Sequence, residues 1–217
     1  MNKNPQELGR LPIHSLHVRL FHWLNAVAII IMVMSGWRIY NASPLFAFRF
    51  PSQLTLGGWL GGALQWHFAA MWLLVVNLVV YLVIGALTGH FGRSFFPVSP
   101  KAVLGDLAKA LRGKLSHDAP GYNAVQKAFY IGVLIMIIIT VISGLCVWKP
   151  IQLQGLTSLM GGYDTARLVH FAGMSGIVAF MVVHIALVAL VPSTLAPMIV
   201  GSSRDVTKLE GFSNHEN

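Results

Sequence analysis

Four histidines lie inside long apolar runs of the sequence, namely His22, His67, His170 and His184. An ionisable side chain in such a run is costly to bury, so its presence there indicates a function. An imidazole can ligate a metal, relay protons or hydrogen-bond to a neighbouring helix. Which of these applies depends on which histidines meet, and that depends on the segments that carry them.

Two of the histidines share one run, the almost wholly apolar stretch from Arg167 to Leu190. His170 and His184 are fourteen residues apart. A helix turns by about 100° per residue, so they lie on nearly the same face, separated by about 21 Å along the axis. One helix therefore presents two imidazoles at two depths.

The composition identifies the elements as membrane helices. The 217 residues are 55% hydrophobic and only 10% charged, with a mean hydropathy of +0.67, whereas soluble domains carry about 25% charged residues. A bilayer is crossed by about 20 apolar residues, and a spanning backbone must satisfy its own hydrogen bonds, which makes each span a helix. The predicted spans are 20–40, 64–87, 124–147 and 166–191.

These spans predict an all-α, integral membrane bundle of four transmembrane helices. We expect residues 1–19 to form a cytoplasmic N-terminal segment, 20–191 the bundle, and 192–217 a cytoplasmic tail. The single cysteine, Cys146, excludes an internal disulfide and covalent haem attachment, and it is typical of a small buried residue.

Basic residues set the predicted orientation. The formal net charge is +8, and the segment between the second and third spans is the richest in positive charge. Its basic residues are Arg93, Lys101, Lys109, Arg112 and Lys114. By the positive-inside rule, both termini and this segment are cytoplasmic, in a multi-pass membrane protein. The membrane orientation therefore accounts for the excess of basic residues, and no nucleic-acid partner is needed to explain it.

Two connections have patterns of their own. The first outer connection, within residues 41–65, is apolar and rich in glycine and proline, which predicts an interfacial or re-entrant segment packed on the bundle. In the middle segment, apolar residues recur at helical spacing with lysines between them. These are Val103, Leu104, Leu107, Leu111 and Leu115. They predict a short amphipathic helix on the cytoplasmic surface.

The topology sorts the histidines by depth. The first helix runs outward, and His22 is near its inner start; the second and fourth run inward. His67 is then level with His170 on the outer side, and His22 with His184 on the inner side. Two histidine pairs at two depths of a four-helix bundle are the arrangement for two b-type haems. With both axial positions filled, such haems are suited to electron transfer.

Other chemistries remain open on spacing alone. A proton relay is one, although it usually recruits carboxylates and these spans contain no Asp or Glu. A zinc site needs three or four ligands at one depth, whereas only two are available. Interhelical hydrogen bonding by the histidines is the structural alternative. His17 competes with His22, but it precedes the apolar run.

Small and basic residues near the histidines fit haem pockets. Glycines at these depths could leave room for a flat macrocycle, or could serve close helix packing. Arginines at the ends of the spans could pair with haem propionates, or could anchor the helices at the interface. The glycines are Gly36, Gly144 and Gly173, and the arginines are Arg19, Arg38 and Arg167.

The stretch HVRLFHWLNAVAIIIMVMSG resembles the first helix of the di-haem cytochrome b membrane subunits. This superfamily includes bacterial cytochrome b561, the b-type subunit of nickel–iron hydrogenase and the gamma subunit of formate dehydrogenase. Its R-x-x-HW element corresponds to Arg19, His22 and Trp23, and its other ligand positions to His67, His170 and His184. The resemblance implies that these four histidines are axial ligands of two haems b.

A second resemblance concerns the quinone. The segment GYNAVQKAFY is similar to the one that opens the third helix of formate dehydrogenase gamma subunits, beside their quinone site. The resemblance implies that Asn123 and Gln126 hydrogen-bond a quinone carbonyl, with Tyr122 and Lys127 nearby. Helix capping by Asn123 is the structural alternative.

The stretch FPSQLTLGGWLGGALQWHF and its continuation look most like thiosulfate-reductase-type cytochrome b subunits. That resemblance implies electron transfer between quinone and a periplasmic partner, a molybdenum enzyme or a cytochrome, and leaves a homodimer possible. The alternatives are a stand-alone superoxide:quinone oxidoreductase of the cytochrome b561 type and a haem-free transporter or scaffold.

Overall fold

The computed structural model describes residues 16–89, 99–111, 124–190, 192 and 195–199. Within these ranges the regular elements are helices, numbered here in chain order. They are α1 Leu16–Ala42, α2 Leu60–Leu87, α3 Pro100–Leu111, α4 Ala124–Trp148, α5 Gln154–Leu159, α6 Tyr163–Leu190 and α7 Leu195–Ile199, with a 3₁₀ turn at Ser52–Leu54.

Four of the helices, α1, α2, α4 and α6, are long and apolar enough to cross a membrane. Their outward faces are apolar and exposed, as lipid contact requires. The predicted all-α fold with four transmembrane helices is therefore confirmed. Three of the four helices begin about a turn before the predicted span, because the helix continues into less apolar residues that hydropathy alone does not include.

The bundle is built from two helix pairs that follow one another in the chain. Helix α1 packs along α2, and α4 packs along α6. The first pair is joined in its interior by Asn77, whose side-chain amide donates to the Phe21 carbonyl at 3.1 Å and to Asn25 Oδ1 at 2.7 Å. Each helix pair carries one histidine of each histidine pair, so the packing of the two helix pairs positions the site.

The connection between α1 and α2 packs on one end of the bundle, as predicted. Asn41 holds the backbone of Phe50 with both ends of its side-chain amide, and the Leu56 N–H donates to the Met34 carbonyl at 3.0 Å. The chain then turns at Gly57, which has a φ of 104°. A Cβ there would lie 2.4 Å from the Ala63 nitrogen, so the turn requires glycine.

The shorter helices tie the ends of the long ones together. In α3, which covers most of the predicted amphipathic segment, Asp106 accepts a hydrogen bond from the Ala124 N–H at the start of α4. Helix α5 had no counterpart in the predictions. At the other end of the chain, the carbonyls of Met198 and Ile199 accept hydrogen bonds from Trp23 and Arg19 of α1.

Candidate functional site

The first histidine pair joins α2 to α6. The ring centres of His67 and His170 are 6.4 Å apart and their planes are inclined by 70°. Both side chains are partly buried. Ser35 of α1 lies 3.0 Å from His67 Nδ1, and the Thr140 carbonyl of α4 lies 2.9 Å from His170 Nδ1. All four long helices thus meet at this pair.

The second pair joins α1 to α6. The ring centres of His22 and His184 are 6.1 Å apart, with planes inclined by 56°. The ring of Trp23 meets His22 edge-on at 5.2 Å, and Phe180 stacks on His184 at 5.8 Å with planes 9° apart. The structure therefore brings together the same partners that depth predicts, and α6 serves both pairs.

The spacing within each pair fits a metal ion held between two imidazoles. A metal–nitrogen bond is about 2 Å long, and the nitrogen lies about 1 Å from the centre of its ring. Two imidazoles on opposite sides of one metal ion therefore have ring centres about 6 Å apart. The two observed separations agree with that value. Across the described ranges, no group of three or more His, Cys, Asp or Glu side chains could hold a metal. The donor set therefore suits an ion whose other ligands come from a macrocycle.

The glycines take two different positions. Gly36 and Gly144 lie against the imidazoles: an added Cβ would come 3.5 Å from Cε1 of His67 and 2.9 Å from Cε1 of His170. Gly173 instead faces the Thr140 hydroxyl of α4, where a Cβ would lie 2.2 Å from the oxygen. For Gly173 the geometry supports the packing alternative, because α4 and α6 approach closely there.

The three predicted arginines also differ. Arg19 donates to the Ile199 carbonyl at 2.9 Å, and Arg167 donates to the carbonyl and hydroxyl of Ser43 at 2.7 and 3.2 Å. Both therefore tie segments of the chain together, a role that neither predicted alternative included. Arg38, with Arg49, lines a cavity of about 350 Å³ at the end of the bundle formed by the first connection. This cavity is the place where a free guanidinium could receive an anion.

Two of the four residues assigned to a quinone, Tyr122 and Asn123, lie outside the described residues. Gln126 and Lys127 occupy the first turn of α4, Gln126 exposed and Lys127 half-buried. Beside them, residues of α3, α4 and α6 enclose an apolar groove of about 580 Å³. Phe180 lines this groove and is also the residue stacked on His184.

Sequence reasoning missed three polar contacts and one ring. Ser143, the Thr140 carbonyl and Ser35 were not assigned to imidazoles, and Phe180 was not assigned to His184. The signal for Phe180 was available, because it precedes His184 by four residues and so lies on the same helix face. The contacts from α1 and α4 depend on the rotation of separate helices, which no local pattern reports.

A bundle of four membrane helices with two facing histidine pairs defines a b-type cytochrome of the membrane. The chain belongs to the prokaryotic cytochrome b561 family, whose model matches residues 13–201. It is 56% identical over 190 residues to a putative protein-methionine-sulfoxide reductase subunit, YedZ1, of Azospira oryzae. That match covers 87% of this chain and 96% of the relative.

A second relative is more distant. A probable Ni/Fe-hydrogenase B-type cytochrome subunit of Cupriavidus necator is 23% identical over 190 residues, covering 80% of this chain and 76% of the relative. The predicted superfamily is thus confirmed. The chain is a bacterial integral membrane cytochrome of the b type that transfers electrons as a subunit, and the family implies that it binds haem b. The narrower thiosulfate-reductase-type branch stays a prediction.

Proposed function

We propose that this chain carries electrons across the inner membrane, from quinol to a periplasmic reductase, through two haems b. The observation that carries the proposal is the presence of two histidine pairs on different levels of one bundle, each with the spacing of axial ligands. His22 and His184 would hold one haem, and His67 and His170 the other. Bound haem would supply reversible one-electron chemistry between these histidines.

The proposed orientation follows the positive-inside rule, with both termini and the segment containing α3 in the cytoplasm. The His22–His184 pair then lies toward the cytoplasm and the His67–His170 pair toward the periplasm. An electron entering beside the first pair and leaving beside the second crosses much of the bilayer.

The quinol site in this proposal is the apolar groove beside α3. Its lining residues include Val125, Phe129 and Phe180, which suit an isoprenoid tail. Gln126 and Lys127 follow Val125 in the first turn of α4. Phe129 lies 6.4 Å from Phe180, and Phe180 stacks on His184. Aromatic side chains thus connect the groove to the proposed inner haem ligand.

The partner is proposed from the relative in Azospira oryzae, whose name makes it a subunit of a protein-methionine-sulfoxide reductase. The proposed reaction has quinol give two electrons and two protons, and the partner use two electrons and two protons to reduce a methionine sulfoxide to methionine and water. The resemblance to thiosulfate-reductase-type subunits supports a molybdenum enzyme as that partner.

The end of the bundle proposed to face the periplasm suits such a partner. Phe171, next to His170, contacts Tyr40 near the end of α1 and Phe46 and Phe48 of the first connection. Phe46 and Phe48 are exposed. A continuous set of aromatic rings therefore leads from the ligand-bearing helix to the surface, next to the arginine-lined cavity.

The test is reconstitution. Purified protein in vesicles should contain two haems per chain by pyridine haemochrome analysis. Quinol added with a periplasmic methionine-sulfoxide reductase should support reduction of oxidised methionine, and removal of this chain should abolish it. Haem content below two per chain would overturn the two-haem proposal, and a quinol that leaves the haems oxidised would overturn the assigned donor.

The second candidate is a stand-alone superoxide oxidase that passes electrons to quinone. The cavity lined by Arg38 and Arg49 favours it, because two guanidinium groups at the end of the bundle that bears the first connection would attract an anion. Rapid consumption of superoxide by the isolated protein, with reduction of quinone and no partner present, would establish this function instead.

A further inference from the structure

The sequence contains a short internal repeat whose two copies face the same histidine pair. Residues Ile31–Gly36 read IMVMSG in α1, and residues Ile139–Gly144 read ITVISG in α4. Four of the six positions are identical. The first copy contacts His67 of α2, and the second contacts His170 of α6.

The serine of each copy has the same hydrogen bonds. The Ser35 hydroxyl lies 2.6 Å from the Ile31 carbonyl and 3.0 Å from His67 Nδ1. The Ser143 hydroxyl lies 2.8 Å from the Ile139 carbonyl and 3.4 Å from His170 Nδ1. Both serines are fully buried. Because a hydroxyl has one proton, and the carbonyl can only accept it, each serine oxygen is left to accept from the ring nitrogen.

A backbone carbonyl beside each ring also acts as a hydrogen-bond acceptor. His67 is hydrogen-bonded to the Met32 carbonyl, and His170 Nδ1 lies 2.9 Å from the Thr140 carbonyl. Met32 and Thr140 occupy the same position of the repeat. Ser35 accepts at Nδ1 of His67, and both Ser143 and the Thr140 carbonyl accept at Nδ1 of His170. Nδ1 therefore carries the proton in each ring, and Nε2 keeps its lone pair.

The glycine of each copy lets the ring reach this position. At Gly144, an added Cβ would lie 2.9 Å from His170 Cε1 and 3.2 Å from Nδ1, a distance at which something must shift. At Gly36, the corresponding distances from His67 are 3.5 and 3.8 Å, an ordinary van der Waals contact. The backbone of α4 at Gly144 therefore lies closer to His170 than the backbone of α1 at Gly36 lies to His67.

We propose that Ile31–Gly36 and Ile139–Gly144 form a duplicated positioning element that fixes the tautomer and rotation of His67 and His170, and so tunes the haem between them. The inference rests on the proposed function for its haem. In metal sites, a hydrogen bond from the second nitrogen of a ligating imidazole orients the ring and raises its basicity. A more basic ligand favours the oxidised iron and lowers the redox potential.

The glycines provide the first test, with haem content and the low-spin ferric EPR signals as readouts. Gly144→Ala should displace His170 and shift or remove the EPR signal of one haem, leaving the other haem at full occupancy. Gly36→Ala should retain both haems with a smaller shift. Gly132→Ala, on α4 with nothing within 4 Å of the new Cβ, is the matched control and should leave both signals unchanged.

The serines provide the second test, with potentiometric titration of the two haems as the readout. Ser35→Ala and Ser143→Ala should each raise the potential of one haem, and the double variant should raise it further. Thr157→Val is the control, because Thr157 is buried in α5, outside both copies of the repeat. It removes a buried hydroxyl without touching the positioning element and should leave the potential unchanged.

The outcomes separate this inference from the proposed function. Wild-type protein that binds fewer than two haems would overturn the proposed function itself. Two haems in the wild type, with Gly144→Ala indistinguishable from Gly132→Ala in its EPR signals, would overturn the positioning element alone. So would serine variants that keep the wild-type potentials with both haems bound.

Discussion

At the scale of single residues, the site depends on contacts to Nδ1 and Cε1 of the imidazoles. His67 and His170 each meet a buried serine, a backbone carbonyl and a glycine. His22 and His184 are surrounded by aromatic rings, Trp23 against the first and Phe180 against the second. Two haems with these ligands would therefore differ in potential, because the described neighbours of the two histidine pairs differ.

One prediction concerns the pairing itself. His170→Ala should remove one haem and leave the other, because only His67 would remain at that level, whereas His22 and His184 are untouched. Pyridine haemochrome analysis should give about half of the wild-type haem.

The control for this experiment is His17→Ala, which removes an exposed histidine near the start of α1 and should keep both haems. Loss of both haems from His170→Ala protein that is otherwise folded by circular dichroism would contradict the assigned pairs.

At the scale of elements, two consecutive helix pairs create the site together. Helix α2, which carries His67, packs along α1, and α6, which carries His170 and His184, packs along α4. In the first pair the support includes Asn77, which is buried and bonds two groups on α1 close to His22. Interhelical hydrogen bonds of this kind contribute about 1 kcal/mol in membrane proteins.

Asn77→Leu should therefore destabilise the pair of α1 and α2 by about 1 kcal/mol, because it leaves the Phe21 carbonyl and Asn25 without this donor. Thermal unfolding of the detergent-solubilised protein, followed by loss of the haem absorption, measures the effect. Val76→Leu is the control, since Val76 is 58% exposed on the lipid-facing side of the same helix. Equal midpoints for the two variants would show that the Asn77 contact does not hold the helices together.

The groove between α3, α4 and α6 allows a second prediction at this scale. Ala179 lines it, so Ala179→Trp should fill it and raise the KM for quinol severalfold, with both haems retained. Val182→Trp places the same ring outside the groove lining, at a position 61% exposed, and should leave the KM near its wild-type value. A KM raised equally by both would place the quinol elsewhere.

At the scale of the whole molecule, two arginines give positive charge to the end of the bundle that bears the first connection. Arg38 and Arg49 line the cavity at the end bearing the first connection, and Arg49 is exposed there. Long-range attraction between oppositely charged surfaces accelerates association and weakens as salt increases. This end is therefore suited to an acidic surface on the proposed periplasmic partner.

Arg49→Glu should slow electron transfer to the partner reductase severalfold at low salt, and the difference should shrink as ionic strength rises. Stopped-flow oxidation of the reduced haems by the partner is the measurement. Lys101→Glu, an exposed reversal in α3 near the other end of the bundle, should leave the rate unchanged. Equal slowing in both variants would mean that net charge matters and that this end does not dock the partner.

The four spans and the depth of each histidine could be predicted from the amino-acid sequence alone. Hydropathy and helical pitch are local properties, and a bilayer restricts its spanning backbone to helices, so the partners of His22 and His67 could be predicted without coordinates. The rotation of each helix about its axis was decided only by the tertiary structure. As a result of this rotation, Ser35 and Ser143 lie against the Nδ1 atoms of their histidines, and Gly173 lies against Thr140. Arg19 and Arg167 hydrogen-bond to distant segments of the chain. These outcomes depend on the close fit of small residues between helices far apart in the chain, which no local pattern contains.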